Sequence, residues 1–178
     1  MTLLVAAVIV VAVSLLVLSP FHDHTKHLDL RMSKLTTISD RATAANRRIP
    51  IDPCRIPAPR QLRALDVGTA SSRDVNILAK SCSWARQMRT LEIRVGNIAG
   101  GGAPSTDRPG AKPVPGVAHA FSVPMPIYSN LHYGNSIVVL SSDRFAEIEF
   151  AKRRSKPTEG EIAVLNEMAA TTARQMRR

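Results

Sequence analysis

Three patterns of hydrophobic and polar positions follow one another along the chain. From Leu3 to Leu18 every residue except Ser14 is Leu, Val, Ile or Ala. That run predicts a helix of about 24 Å, short of a hydrocarbon core of about 30 Å. His22 to Pro50 is polar and mixed in charge, with no sustained apolar period beyond weak amphipathicity at Leu28, Leu30, Met32 and Leu35. It reads as a linker. From Ile51 onward the periods of folded elements take over. Pro57 to Leu65 predicts a short helix with prolines in its first turn, Leu62 and Leu65 inward and an end near Asp66 to Gly68. Thr69 to Asn76 reads as a polar loop. A strand places Cys82 and Trp84 on one face, and Thr90 to Val95 alternates with Leu91, Ile93 and Val95 inward and Glu92 and Arg94 outward.

Ile98 to Gly116 holds five of the nine glycines and four of the twelve prolines and reads as a mobile loop. Val117 to Val123 and Ile127 to Ser129 read as strand pieces interrupted by Pro124 and Pro126. Ser136 to Ser141, a turn at Ser142 to Arg144, and Phe145 to Phe150 predict a hairpin with Ile148 and Phe150 inward and Glu147 and Glu149 facing water. Lys152, Arg153, Arg154 and Lys156 then form a basic run that reads as a solvated connector, with a site for anionic lipid or polymer as the alternative. Thr158 and Glu161 have the spacing of a capping box, and Ile162, Leu165, Ala169, Thr172 and Met176 recur on one face of the helix it opens. These elements make an α+β domain, an antiparallel sheet flanked by helices, over residues 51–178. A transmembrane helix over 1–21 and a juxtamembrane linker over 22–50 precede it.

The flanks of the apolar run set the expected topology. No A-x-A-like cleavage site follows it, which favours an uncleaved anchor over a secreted form released by signal cleavage. Lys26, Arg31 and Lys34 follow it and no basic residue precedes it, which by the positive-inside rule would leave the domain in the cytosol. A basic region upstream of the annotated start would reconcile an outward-facing domain with that rule.

Composition adds a net charge of +10, with aromatics at 4% of residues. The basic excess is spread over linker and domain, and no aromatic sits within a basic run, so nucleic acid is not the expected partner. Anionic lipid, a cell-wall polymer or an envelope protein fits better, beside the membrane contact through residues 3–18. Candidate chemistry is sparse. His22, His24 and His27 lie on the linker without a fourth ligand at diagnostic spacing, so no metal is expected. Gly100 to Gly102 lack the Lys-Ser/Thr and helix that a phosphate-binding loop requires. His119 shares a face with Val117, Phe121 and Val123 and reads as a packed or rim residue. No Ser, Cys or His sits in a nucleophile motif, and no carboxylate pair stands in an apolar setting that would shift its pKa. No catalytic residue and no cofactor is therefore expected. A cleft gathering His119, His132, Tyr133 and an acid would argue for an enzyme.

Cys54 and Cys82 are the only two thiols. Behind an export-like leader they are expected to form a disulfide, with Trp84 covering it; in a cytosolic setting they would instead be two buried free thiols. The motif core of Asp52, Pro53, Cys54, Cys82 and Trp84, with a short helix between, a later strand pair and a closing helix, resembles an actinobacterial cell-envelope family of unknown function. Its members are secreted proteins and lipoproteins. The resemblance covers about residues 51–176 and implies an αβα sandwich similar to PsbP-like proteins and kinase extracytoplasmic sensor domains. It implies no catalytic residues. This chain lacks the lipid-accepting Cys and the second cysteine pair of some relatives. The expectation is a membrane-anchored extracytoplasmic ligand-binding, sensing or scaffold module, with an envelope enzyme as the alternative.

Overall fold

A computed structural model describes residues 36–37, 39–68, 71–76, 78–98, 104–107, 109–125 and 132–177. The apolar run at 3–18, the histidines at 22, 24 and 27, Gly100 to Gly102 and the strand expected at 127–129 lie outside the described residues. The chain divides into two compact units, Met1–Arg41 and Ala42–Arg178. Of the first, residues 36, 37 and 39–41 are described and are helical. The second opens with the end of α1, a helix over 39–47, and takes in the last residues of the expected linker, since Asn46 and Ile49 are buried.

A 3-10 turn at Pro53–Arg55 follows, with Asp52 as its cap accepting a hydrogen bond from the Cys54 N–H at 3.0 Å. Helix α2, Pro59–Leu65, has Pro59 in its first turn and ends at Asp66 in the left-handed region. Seven strands come next: β1 (Ser71–Val75), β2 (Lys80–Arg86), β3 (Arg89–Asn97), β4 (Lys112–Pro113), β5 (Ala120–Pro124), β6 (His132–Leu140) and β7 (Arg144–Arg153). Helix α3, Glu159–Met176, closes the unit. The strands form one antiparallel sheet in the order β1-β2-β3-β7-β6-β5-β4. Two meanders, β1 to β3 and β4 to β7, are thus joined along the central β3–β7 pair.

Directly opposed residues of an antiparallel pair share a face. One face therefore carries Cys82 and Trp84, then Leu91, Ile93 and Val95, then Ala146, Ile148 and Phe150, then Ile137 and Val139. All are buried in one apolar cluster with Leu65 of α2 and Leu165, Met168 and Ala169 of α3. The expected capping box is formed: Thr158 Oγ1 accepts from the Glu161 N–H at 3.2 Å, and Glu161 accepts from the Thr158 N–H at 2.7 Å. Leu165, Ala169, Thr172 and Met176 of the predicted stripe are buried, with Met168 and Ala173 widening it, whereas Ile162 is only half-buried.

Several expectations are corrected. The polar loop expected at 69–76 contains β1, an edge strand whose Ser72, Arg73 and Asp74 are exposed and carry no apolar alternation. Within the stretch read as a mobile loop, Lys112–Pro113 pairs with β5 and Val114 is buried. Val117 precedes the strand, which starts at Ala120, and His119 is an exposed turn residue with φ of 56°. It lies at the rim rather than in the core. Two side chains read as solvated are buried: Glu147, 1% exposed, and Lys152, 7% exposed.

Candidate functional site

The sheet face away from α2 and α3 holds an ionic cluster. Arg94 of β3 stands opposite Glu147 of β7, Glu92 stands opposite Glu149, and Ser136 of β6 stands opposite Glu149 on the other side. Alternation that sends Leu91, Ile93, Ile148 and Phe150 into the helix-covered core sends these side chains together on the opposite face. The Arg94 guanidinium donates to Glu147 Oε2 and, at 3.4 Å, to Glu149 Oε1. Ser136 Oγ donates to Glu147 Oε1 at 2.9 Å. Arg94 Nε is buried with no hydrogen-bond partner among the described residues.

Two carboxylates are being served by one guanidinium, and their environments separate them. Glu147 is enclosed and doubly bonded, whereas the Glu149 side chain keeps 25% of its surface. Burial, then the neighbouring Glu147 charge, pushes the Glu149 carboxyl up to about 7, against the smaller opposing pull of Arg94. For Arg94, burial disfavours the charge, but Glu147 and Glu149 outweigh it and its pKa is raised, so the guanidinium stays protonated. The expectation that no carboxylate pair sits in a pKa-shifting setting is therefore overturned. What hid it is that period-two polarity predicts the face but not whether that face is wet.

A second cluster lies where β7 hands over to α3. Lys152 donates to both Glu161 oxygens at 3.0 Å, and Arg89 donates to Glu161 Oε1 and to the Leu65 carbonyl, both at 3.0 Å. Burial opposes the Glu161 charge, but the Thr158 N–H and Lys152 more than compensate and lower its pKa. Beside it a cavity of about 430 Å3 opens between the β2–β3 turn and the residues after β7.

The histidine and tyrosine named as an enzymatic signature are not gathered. His119 lies at the end of β6 where its carbonyl accepts from Leu140 N–H, whereas His132 and Tyr133 begin that strand, about 25 Å away at strand rise. His119 shares a cavity of about 430 Å3 with Asp143 and Met176, and no hydrogen bond joins it to Asp143 among the described residues. No group of three metal-ligating side chains occurs among the described residues.

The predicted cysteine pair is bonded: a Cys54–Cys82 disulfide, Cα atoms 5.2 Å apart, ties the 3-10 turn to β2. Cys82 and Trp84 are both buried on the core face, and Asp52 holds the turn and an ion pair with Arg73 at 3.2 Å. Nearby, Lys80 donates to the Ile49 carbonyl, and its pKa is lowered by burial, partly offset by Asp52. Compared with known proteins, the chain matches no family, no curated protein and no solved structure. Among the described residues no helix is long and apolar enough to cross a membrane.

Proposed function

We propose that this chain is a membrane-tethered module whose α+β domain lies outside the cytoplasm and binds, senses or scaffolds a component of the cell envelope. The observation that carries the reading is the Cys54–Cys82 disulfide, a bond that persists in oxidising compartments. The apolar Leu3 to Leu18 supplies the tether. The Asp-Pro-Cys and Cys-x-Trp motifs support membership of the actinobacterial envelope family, and with it a PsbP-like αβα sandwich. In favour of that layering, Val123, Val138 and Phe145 are buried on the sheet face away from α2 and α3, as a sheet covered on both faces requires. The direct test is amine labelling of intact cells with a membrane-impermeant reagent, read by mass at the exposed Lys112 and Lys156. Labelling before lysis is expected; labelling of these lysines only after lysis would place the domain inside and end the reading.

One observation favours an envelope enzyme instead. Glu149, half-buried beside Arg94 and Glu147 with its carboxyl pushed up to about 7, has the protonation behaviour of a general acid or base. On that reading Glu149→Gln would abolish turnover of a substrate found for the chain, while on the binding reading the variant keeps its ligand.

A further inference from the structure

Among the described residues four non-glycine positions have positive φ, and three of them, Asp66, Gln87 and Arg154, are brought to one end of the sheet. Left-handed backbone at such residues is unfavourable and collects at functional sites. Gln87 and Met88 form the β2–β3 turn, and the Met88 carbonyl accepts from the Arg153 N–H at 3.0 Å, which staples that turn to the end of β7. Between them lies the cavity of about 430 Å3 lined by Gln87, Met88, Arg89, Lys152, Arg153 and Ser155.

The charge here is unbalanced. Glu161 is taken up by Lys152 and Arg89, and Asp66 by Arg86 at 2.9 Å. Arg153, Arg154 and Lys156 are exposed and enter no ion pair among the described residues. Arg153 lines the cavity, and Arg154 and Lys156 follow it in the chain on either side of the lining residue Ser155. The lining is not purely polar either: Met88, 45% exposed, sets an apolar tip beside the cation Arg153.

We propose that this cavity receives the phosphodiester headgroup of an anionic phospholipid, with Arg153 and Arg154 at the phosphate and Met88 at the acyl boundary. A cationic rim around an exposed apolar tip matches the amphipathic edge of a bilayer better than it matches a soluble anion. The proposal deepens the binding-module reading and depends on it only for which leaflet is met; headgroup binding itself is measured without reference to topology.

The test uses the full chain in zwitterionic detergent micelles, titrated with short-chain phosphatidylglycerol, short-chain phosphatidylcholine and inorganic phosphate. Phosphatidylglycerol is expected to bind and phosphatidylcholine not. Arg153→Ala with Arg154→Ala should weaken binding roughly fivefold for each cation removed. Arg153→Lys with Arg154→Lys should retain it, which guards against a folding defect. The charge-matched pair Arg63→Ala with Lys112→Ala, exposed and elsewhere on the surface, should leave it unchanged. Met88→Ser should weaken phosphatidylglycerol binding as well. Equal losses in the two alanine pairs would reduce the effect to diffuse net charge and overturn the site. Full displacement of the lipid by equimolar inorganic phosphate, with Met88→Ser silent, would overturn the headgroup in favour of a free anion.

Discussion

Glu149 is the residue at which sequence and structure part most sharply. Its strand alternates as a two-faced strand should, and Glu147 and Glu149 fall on the face opposite Ile148 and Phe150, as the period requires. Equating that face with water was the false step, because Arg94, Ser136 and the apolar Val138 and Phe145 share it. A single charged residue in a strand carries no mark of the cross-strand partner that will enclose it, since that partner lies 53 positions away in the case of Arg94 and Glu147. The raised pKa has a signed consequence. In the unfolded chain Glu149 titrates near the ordinary carboxylate value; in the folded chain it holds its proton up to about 7. Between those values the native state binds the extra proton, so this group favours folding at the acid side and its contribution is lost as pH rises through about 7. Thermal midpoints measured from pH 5 to 8 should therefore fall with pH more steeply in the wild type than in Glu149→Gln. The variant should be the more stable of the two at pH 8, and parallel profiles would show that the cluster does not strain the ionised form.

At the scale of elements, the closing helix was the most legible part of the chain, because its cap and its stripe are local. Thr158 and Glu161 satisfy each other's backbone groups within one turn, and the apolar positions of α3 recur at helical spacing. The inner positions of β2, β3, β6 and β7 are also legible from alternation, but β6 starts at His132, ahead of the expected Ser136, and β7 runs on through Lys152 and Arg153, which read as a connector. Edge strands were not: β1 has Val75 as its single apolar residue, and β4 is two residues long with a proline. Non-local partnering again hid the role of Lys152, which belongs to β7 and reaches across to the Glu161 of the α3 cap, with Arg89 on the same carboxylate. Glu161 thus serves a helix terminus and two cations at once. Glu161→Ala removes the cap bonds and leaves Lys152 buried without its counter-ion, and denaturant unfolding should show a loss of about 3 kcal/mol. Thr158→Ala, which removes only the hydroxyl side of the box, should cost about 1 kcal/mol. Equal losses in the two variants would mean that the pairing across to β7 adds nothing to the cap.

For the whole molecule, the antiparallel α+β class and the cysteine pairing were both accessible from sequence, the first from periodicity and the second because two thiols allow only one intramolecular pairing. Strand order was not, since the β3–β7 pair joins segments separated by β4, β5 and β6 and no local signal encodes that choice. The disulfide ties the 3-10 turn to β2 across a sequence separation of 28 and closes the start of the domain onto its core. Closing a loop of that length removes denatured-state entropy worth about 3.5 kcal/mol, a large share of the stability of a domain this size. It is also the observation on which the proposal of an outward-facing domain rests. The most direct measurement is the redox state of the two cysteines in the cells that make the chain. Cells are quenched in acid, denatured, and treated with an alkylating reagent before and after reduction, and the intact mass is read. The account predicts no added alkyl group before reduction and one on each of Cys54 and Cys82 after it; alkylation of both thiols without reduction would contradict it.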